Sequence, residues 1–168
     1  QHERLFILNY PGGSRLNRTI GMIVTAMLTA KSGYKIGFQF DPYRIILDVP
    51  ARTTVKDLLA ILKGFVPEVG SLLRFAIKDS PSLKPQLLHS ARKMGAIAPD
   101  ADIGKFGMKK LMEAYSDTPL YTEAVERFLF HQLDENGMED FIHQINSGDI
   151  SIKLSPKTPH GHAGLDPY

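Results

Sequence analysis

The chain has no cysteine and no tryptophan. The first absence excludes disulfide scaffolds, Cys-based zinc sites and thiol nucleophiles together, and fits a reducing, cytoplasmic setting. The second removes the largest stacking ring. Long apolar runs are also missing: the longest, residues 20–30, is about half the span of a bilayer and is interrupted by Gly21, Thr25 and Thr29. No transmembrane helix is expected. There is no initiator Met and no pattern of basic start and apolar core that marks a signal peptide. Gln1 leads almost directly into an apolar stretch, so the chain reads as a piece of a longer protein. What is present is ordinary for a folded domain: 43% hydrophobic and 23% charged residues over 168 positions, enough for one core.

Charge is unevenly placed. Residues 1–110 carry seventeen Lys and Arg against eight acids, a net +9, and residues 111–168 carry three against ten, a net −7. A half that basic is an electrostatic footprint for a polyanion. The plainer reading is that the two halves pack together and neutralise each other.

The expected architecture is α+β: a small, mostly antiparallel sheet, a multi-helix bundle and a returning strand. Leu5 to Asn9 is an apolar strand, broken by Tyr10-Pro11-Gly12-Gly13. Ser14 is the expected N-cap of a helix over 15–31 that stops at Gly33. Residues 34–41 alternate apolar and polar, Asp41-Pro42 turns the chain, and 43–49 forms the second arm of a hairpin. Helices follow from Thr53 or Thr54, with Val55, Leu58, Leu59 and Leu62 facing inward. Further helices are expected from a Ser71 cap, over 84–94, 106–115, 120–133 and 135–145. Residues 150–154 alternate again and are expected to return to the sheet as a fourth strand. The domain is thus bounded at 1–154, with 1–50 as sheet plus helix, 51–148 helical and 149–154 a strand. Residues 155–168 form a tail.

Few motifs carry chemistry. Gly12-Gly13-Ser14 joins a strand to a helix, as phosphate-cradling loops do. Neither the Gly-Lys-Ser/Thr ending of a P-loop nor a dinucleotide fingerprint follows. The next turn offers Arg15 and Arg18 and no acid, against the helix dipole, which suits an arriving phosphate. A neighbouring carboxylate on each Arg would account for them equally well. Lys84, His89, Arg92 and Lys93 form a second basic group, with 89, 92 and 93 on one helix face and Arg74 and Lys78 upstream. Lys105, Lys109 and Lys110 are a weaker third. A solvated helix face is the plain alternative for these. Tyr10, Tyr34 and Tyr43 are stacking candidates, and Phe75 reads rather as core. His160-Gly161-His162 lies in the tail with only Asp166 nearby, which is no metal site. Asp134-Glu135-Asn136-Gly137 lacks the alternating ligands of a calcium loop. No nucleophile elbow is present.

Three ordered blocks carry a family resemblance. Asn17-Arg18-Thr19-Ile20-Gly21, followed by Gly37-Phe38-Gln39-Phe40-Asp41-Pro42-Tyr43-Arg44-Ile45-Ile46-Leu47, resembles the DEAD/H-associated domain that follows the motor in large helicase-related (Lhr) proteins. Ala91-Arg92-Lys93-Met94-Gly95 with Asp100-Ala101-Asp102 is similar to a second block of that family. Thr118-Pro119-Leu120-Tyr121-Thr122-Glu123-Ala124, Ser147-Gly148-Asp149-Ile150 and Ser155-Pro156 resemble a third.

The resemblance implies a fragment of an ATP-dependent, superfamily 2, 3′-to-5′ DNA or RNA:DNA helicase, archaeal or bacterial, with a place in DNA repair. ATP and Mg²⁺ would belong to motor domains outside this chain, since none of the ATPase motifs is here and the fragment itself is not expected to catalyse. Its implied partners are a single-stranded nucleic-acid backbone and the motor and winged-helix domains of the same parent chain, with no membrane. Combined with the charge pattern, the expected nucleic-acid contacts are Gly13, Ser14, Arg15, Asn17, Arg18, Arg44, Arg92 and Lys93. The acidic half would face away or pack on another domain. Two rivals remain: a structural brace docked on the motor, and a small enzyme with a cleft of its own.

Overall fold

The computed structural model describes residues 3–64, 68–78 and 80–155; the side chains of Glu3, Lys105 and Phe106 are not among those described. The element order is β1 (Glu3–Asn9), α1 (Gly13–Ser32), β2 (Gly37–Asp41), β3 (Arg44–Pro50), α2 (Val55–Leu62), α3 (Val69–Lys78), α4 (Leu83–Lys93), α5 (Lys105–Tyr115), α6 (Pro119–Gln132) and α7 (Glu135–Ser147). The three strands form one antiparallel sheet in the order β1-β3-β2. The fold class is α+β.

The sheet register follows from side-chain alternation. Ile45, Leu47 and Val49 of β3 point to one face, opposite Phe6 and Leu8 of β1 and Phe38 and Phe40 of β2. This face packs on α1. Residues 19–25 of α1 are buried without a break, so the helix is enclosed all round rather than half-buried. The sheet covers one side and α2, α3 and α7 cover the others. Gly21 permits the closest approach: a Cβ there would lie 2.3 Å from the Phe38 ring. Beyond α3, α6 packs on α4, and α5 packs on α4 in turn.

Several expected boundaries move. Ser14 does not cap α1: Gly12 occupies the cap position with no side-chain bond, and the Gly13 N–H donates to Pro42 O at 3.0 Å. The adjacent hairpin turn does what a side chain was expected to do. Gly33 closes α1 in the left-handed region, φ 72°, as expected. Thr54 caps α2 in a full capping box with Asp57, but Val55 is exposed and Ile61 takes its place inside. Ser71 lies within α3, not before it.

The returning strand is not formed. After Gly148 the chain folds back on the end of α7, with the Ile150 N–H donating to Gln144 O at 3.0 Å. Ile150 and Ile152 then pack on the core as coil. The apolar alternation marks two half-buried side chains, with Leu154 exposed beyond them, and a helix end takes them without a ladder. The tail beyond residue 155, with His160, His162 and Asp166, lies outside the described residues.

Candidate nucleic-acid interface

Two basic regions are expected to meet a polyanion, and their surroundings differ. The first is the start of α1. Asn17 is fully buried, and its Nδ2 donates to Tyr10 O at 2.9 Å and Asp41 O at 2.8 Å. It therefore ties the β1–α1 loop to the hairpin turn. Tyr10 N–H also reaches Tyr43 O at 2.8 Å. Asp41 shapes the turn itself: its Oδ1 accepts from the backbone N–H of Tyr43 and Arg44, and its Oδ2 from Arg44 Nε at 2.7 Å. The Arg44 bond, with those backbone bonds, holds the Asp41 carboxyl below its ordinary range. Arg44 is thus already paired with a carboxylate.

Arg15 and Arg18 reach across to the end of α6. Arg15 Nη2 donates to Phe130 O at 2.9 Å and also to Leu133 O. Arg18 Nη1 donates to Gln132 Oε1, and its guanidinium lies over the rings of Phe40 and Phe128 at 5.1 and 5.5 Å. Burial lowers its pKa. The Asp134 N–H donates to Thr19 Oγ1 at 2.9 Å, fixing the α6–α7 corner to the same turn of α1. Cations at the start of α1 oppose that helix's dipole but complement the negative end of α6. Sequence alone left a carboxylate or a phosphate as the partner; the structure supplies carbonyls, an amide and aromatic faces.

The acidic half does not face away. Helices α6 and α7 pack on α3 and α1, and Arg74 of α3 is paired with Glu126 of α6 at 3.0 Å, which raises the pKa of Arg74. Both residues of this pair line a cleft of about 470 Å³, together with Arg15, Phe130, Asp134 and Glu135 among others. Both of its guanidinium groups, Arg15 and Arg74, are engaged and its carboxylates outnumber them, so it is no seat for a phosphate. Asp134 caps α7 by accepting from the Gly137 N–H at 2.9 Å, which accounts for the calcium-loop-like run.

The second region is α4. Leu83, Leu87, Ser90 and Ala91 are its buried face. Lys84, His89 and Lys93 are exposed and Arg92 half-exposed on the opposite arc, and α4 contains no acid. None of the four enters an ion pair among the described residues. Arg92 Nη2 donates to Ala101 O at 2.8 Å, which pins the guanidinium, while its buried Nε has no acceptor. Of the eight residues singled out from the sequence, Gly13, Asn17, Arg15, Arg18 and Arg44 are tied into one joint, with Ser14 exposed beside it. Arg92 and Lys93 sit apart on α4. Among the stacking candidates, Tyr10 packs on Phe141 at 4.8 Å and Tyr34 under Arg52 at 4.1 Å, while Tyr43 is 71% exposed. Phe75, read as core, is 63% exposed. Its neighbours on the helix settle the matter: Leu73 and Ile77 fill the α3 seam, and 75 falls on the outer arc.

A small antiparallel sheet wrapped on a buried helix and packed against a helical half defines an α+β module. The sequence model of the DEAD/H associated family matches residues 1–159. The chain belongs to the DEAD/H associated family. No curated protein matches it. Among solved structures, the fold is similar to the structure of Mycobacterium smegmatis helicase Lhr bound to ssDNA and AMP-PNP, with a TM-score of 0.66 at 16% identity. The match covers 86% of this chain and 20% of that one, so the chain spans about a fifth of that helicase's length. The resemblance to the DEAD/H-associated domain read from the three sequence blocks is borne out. No helix among the described residues is long and apolar enough to cross a membrane.

Proposed function

We propose that this domain holds a single strand of nucleic acid by its phosphate backbone, as a passive track beside an ATP-driven, superfamily 2, 3′-to-5′ motor. The observation that carries this reading is the basic arc of α4: Lys84, His89, Arg92 and Lys93, with no acid on the helix and no ion pair among the described residues. Lys84 and Lys93 are nine residues apart, about 13 Å along the helix axis and half a turn around it, so they mark the two edges of the arc, with His89 and Arg92 between them. Contacts of this kind position a strand without reading its sequence. Arg15, Arg18, Asn17, Gly13 and Arg44 form the frame that sets α6, and through it α4, in place. The ssDNA in the Lhr structure supports the same class of ligand.

ATP and Mg²⁺ belong to the motor in this reading. The strand-to-helix loop at Gly12-Gly13-Ser14 does not fit a nucleotide phosphate, because its Gly13 N–H is bonded to Pro42 O and its arginines are bonded to α6. One observation favours the brace as a second reading. The sheet face turned away from α1 carries Leu5, which is exposed, and Ile7 and Ile46, which are half-buried partners across β1 and β3. Polar residues are usual on a wet sheet face.

Fluorescence anisotropy of a labelled oligo-dT against the 168-residue chain, titrated at several salt concentrations, tests the proposal. Each phosphate contact should add about −0.7 to the log–log salt slope. Lys84→Glu/Lys93→Glu should weaken binding and make the slope shallower by more than one. No binding at low salt from a folded sample would leave the brace.

A further inference from the structure

Few large apolar side chains are left in solvent, and their electrostatic settings differ. Tyr43 stands beside Arg44, which is paired with Asp41. Phe75 follows Arg74, which is paired with Glu126. Phe130 opens onto the cleft lined by Glu126, Asp134 and Glu135. Met94 is different. It is 62% exposed, directly follows Arg92 and Lys93, and no carboxylate pairs with either cation among the described residues.

Its position is fixed by the end of α4. The Met94 N–H donates to Ser90 O at 3.0 Å, Gly95 N–H to Arg92 O at 3.1 Å, and the N–H groups of Ala96 and Ile97 both reach Ala91 O. Gly95 takes the left-handed conformation, φ 72°, that lets the chain reverse there. The helix end is therefore closed by backbone bonds, and Met94 projects one residue past it beside a guanidinium pinned on Ala101 O. An exposed thioether side chain on a fixed backbone, next to cations with no carboxylate partner, has a chemical complement. It is a ligand with anionic groups at one spacing and flat, polarizable rings beside them.

Resting on the proposed strand-holding role, we infer that Met94 is a base-contacting wedge, packing its thioether against the face of a base while Arg92 and Lys93 hold the flanking phosphates. Apolar side chains, methionine among them, insert at base steps in this way, and sulfur makes favourable contacts with aromatic rings. The contact supplies affinity without sequence preference and fixes where along the track a base is arrested.

The test uses an oligo-dT carrying one 2-aminopurine, with the 168-residue chain and its Met94→Ala and Met94→Leu variants. Met94→Ala should bind roughly two- to tenfold more weakly, the range a sulfur–ring contact spans. It should show an unchanged salt slope and lose the 2-aminopurine fluorescence change that wild type produces. Met94→Leu, still apolar, should stay within about twofold of wild type. Wild-type affinity and an unaltered 2-aminopurine signal in Met94→Ala would overturn the wedge while leaving the phosphate track intact. Absence of salt-dependent binding by wild type itself would overturn the track, and the wedge with it.

Discussion

The start of α1 and the exposed arc of α4 carry the same kinds of residue in opposite surroundings. At α1, Arg15 and Arg18 are bonded to the last turn of α6 and Arg44 to Asp41. At α4, Lys84, His89 and Lys93 face solvent. Basic composition therefore does not say which cations are engaged within the fold; the bonds each one makes do. The α1 region is a joint that lets one helix align a hairpin, a sheet and the α6–α7 corner. Its stability is internal, and its charges are poorly placed to change partners.

That contrast can be broken from either side. The largest effect is expected from Gly21→Val. Even the Cβ would meet the Phe38 ring at 2.3 Å, and overpacking of this kind costs about 1–3 kcal/mol or more. The melting temperature should drop by several degrees, read by circular dichroism. Next is Asn17→Ala, which strips the donors from two carbonyls beneath the loop. A loss of about 1–3 kcal/mol in urea unfolding is expected, with no change in the salt slope of oligo-dT binding. Lys84→Gln or Lys93→Gln should do the converse. Stability should stay within about 0.5 kcal/mol while the salt slope falls by about 0.7 for each phosphate no longer held.

The smallest effect concerns acid. Asp57 accepts from Lys31 at 2.6 Å and from Thr54, and these bonds hold its carboxyl well below the ordinary range. Asp41 is lowered likewise by Arg44. Since both folded values lie below the unfolded ones, their contribution is complete above about pH 4 and is lost as pH falls through the lowered folded values. Asp57→Asn should therefore lower stability slightly at neutral pH and leave a flatter acid limb. An acid limb as steep as that of wild type would remove Asp57 from the account.

Much of the scaffold is readable from spacing alone. The period-two run ending at Asp41 marks the hairpin, Gly33 ends α1 as read, and Thr54 is the one of the two cap candidates that caps α2. The failures share one cause: a local signal answered by a distant group. Ser14 looks like a cap, but Pro42 O takes the Gly13 N–H. Residues 150–154 alternate like a strand, but α7 satisfies the backbone of Ile150. Arg15 and Arg18 look free because their partners lie more than a hundred residues away on α6. Nothing in the local sequence signals that Gln132 and the Phe130 carbonyl will be there. The α4 group is readable as a face, by its spacing at 89, 92 and 93, although its freedom from acids is visible only in three dimensions.

Backbone amide chemical shifts of the ¹⁵N-labelled chain, followed as a short oligo-dT is added at low salt, test the central claim most directly. The account predicts shifts concentrated at residues 84–97, with the amides of 13–21 unmoved. Shifts centred on the start of α1, with α4 silent, would contradict it and return Arg15 and Arg18 to the nucleic-acid track.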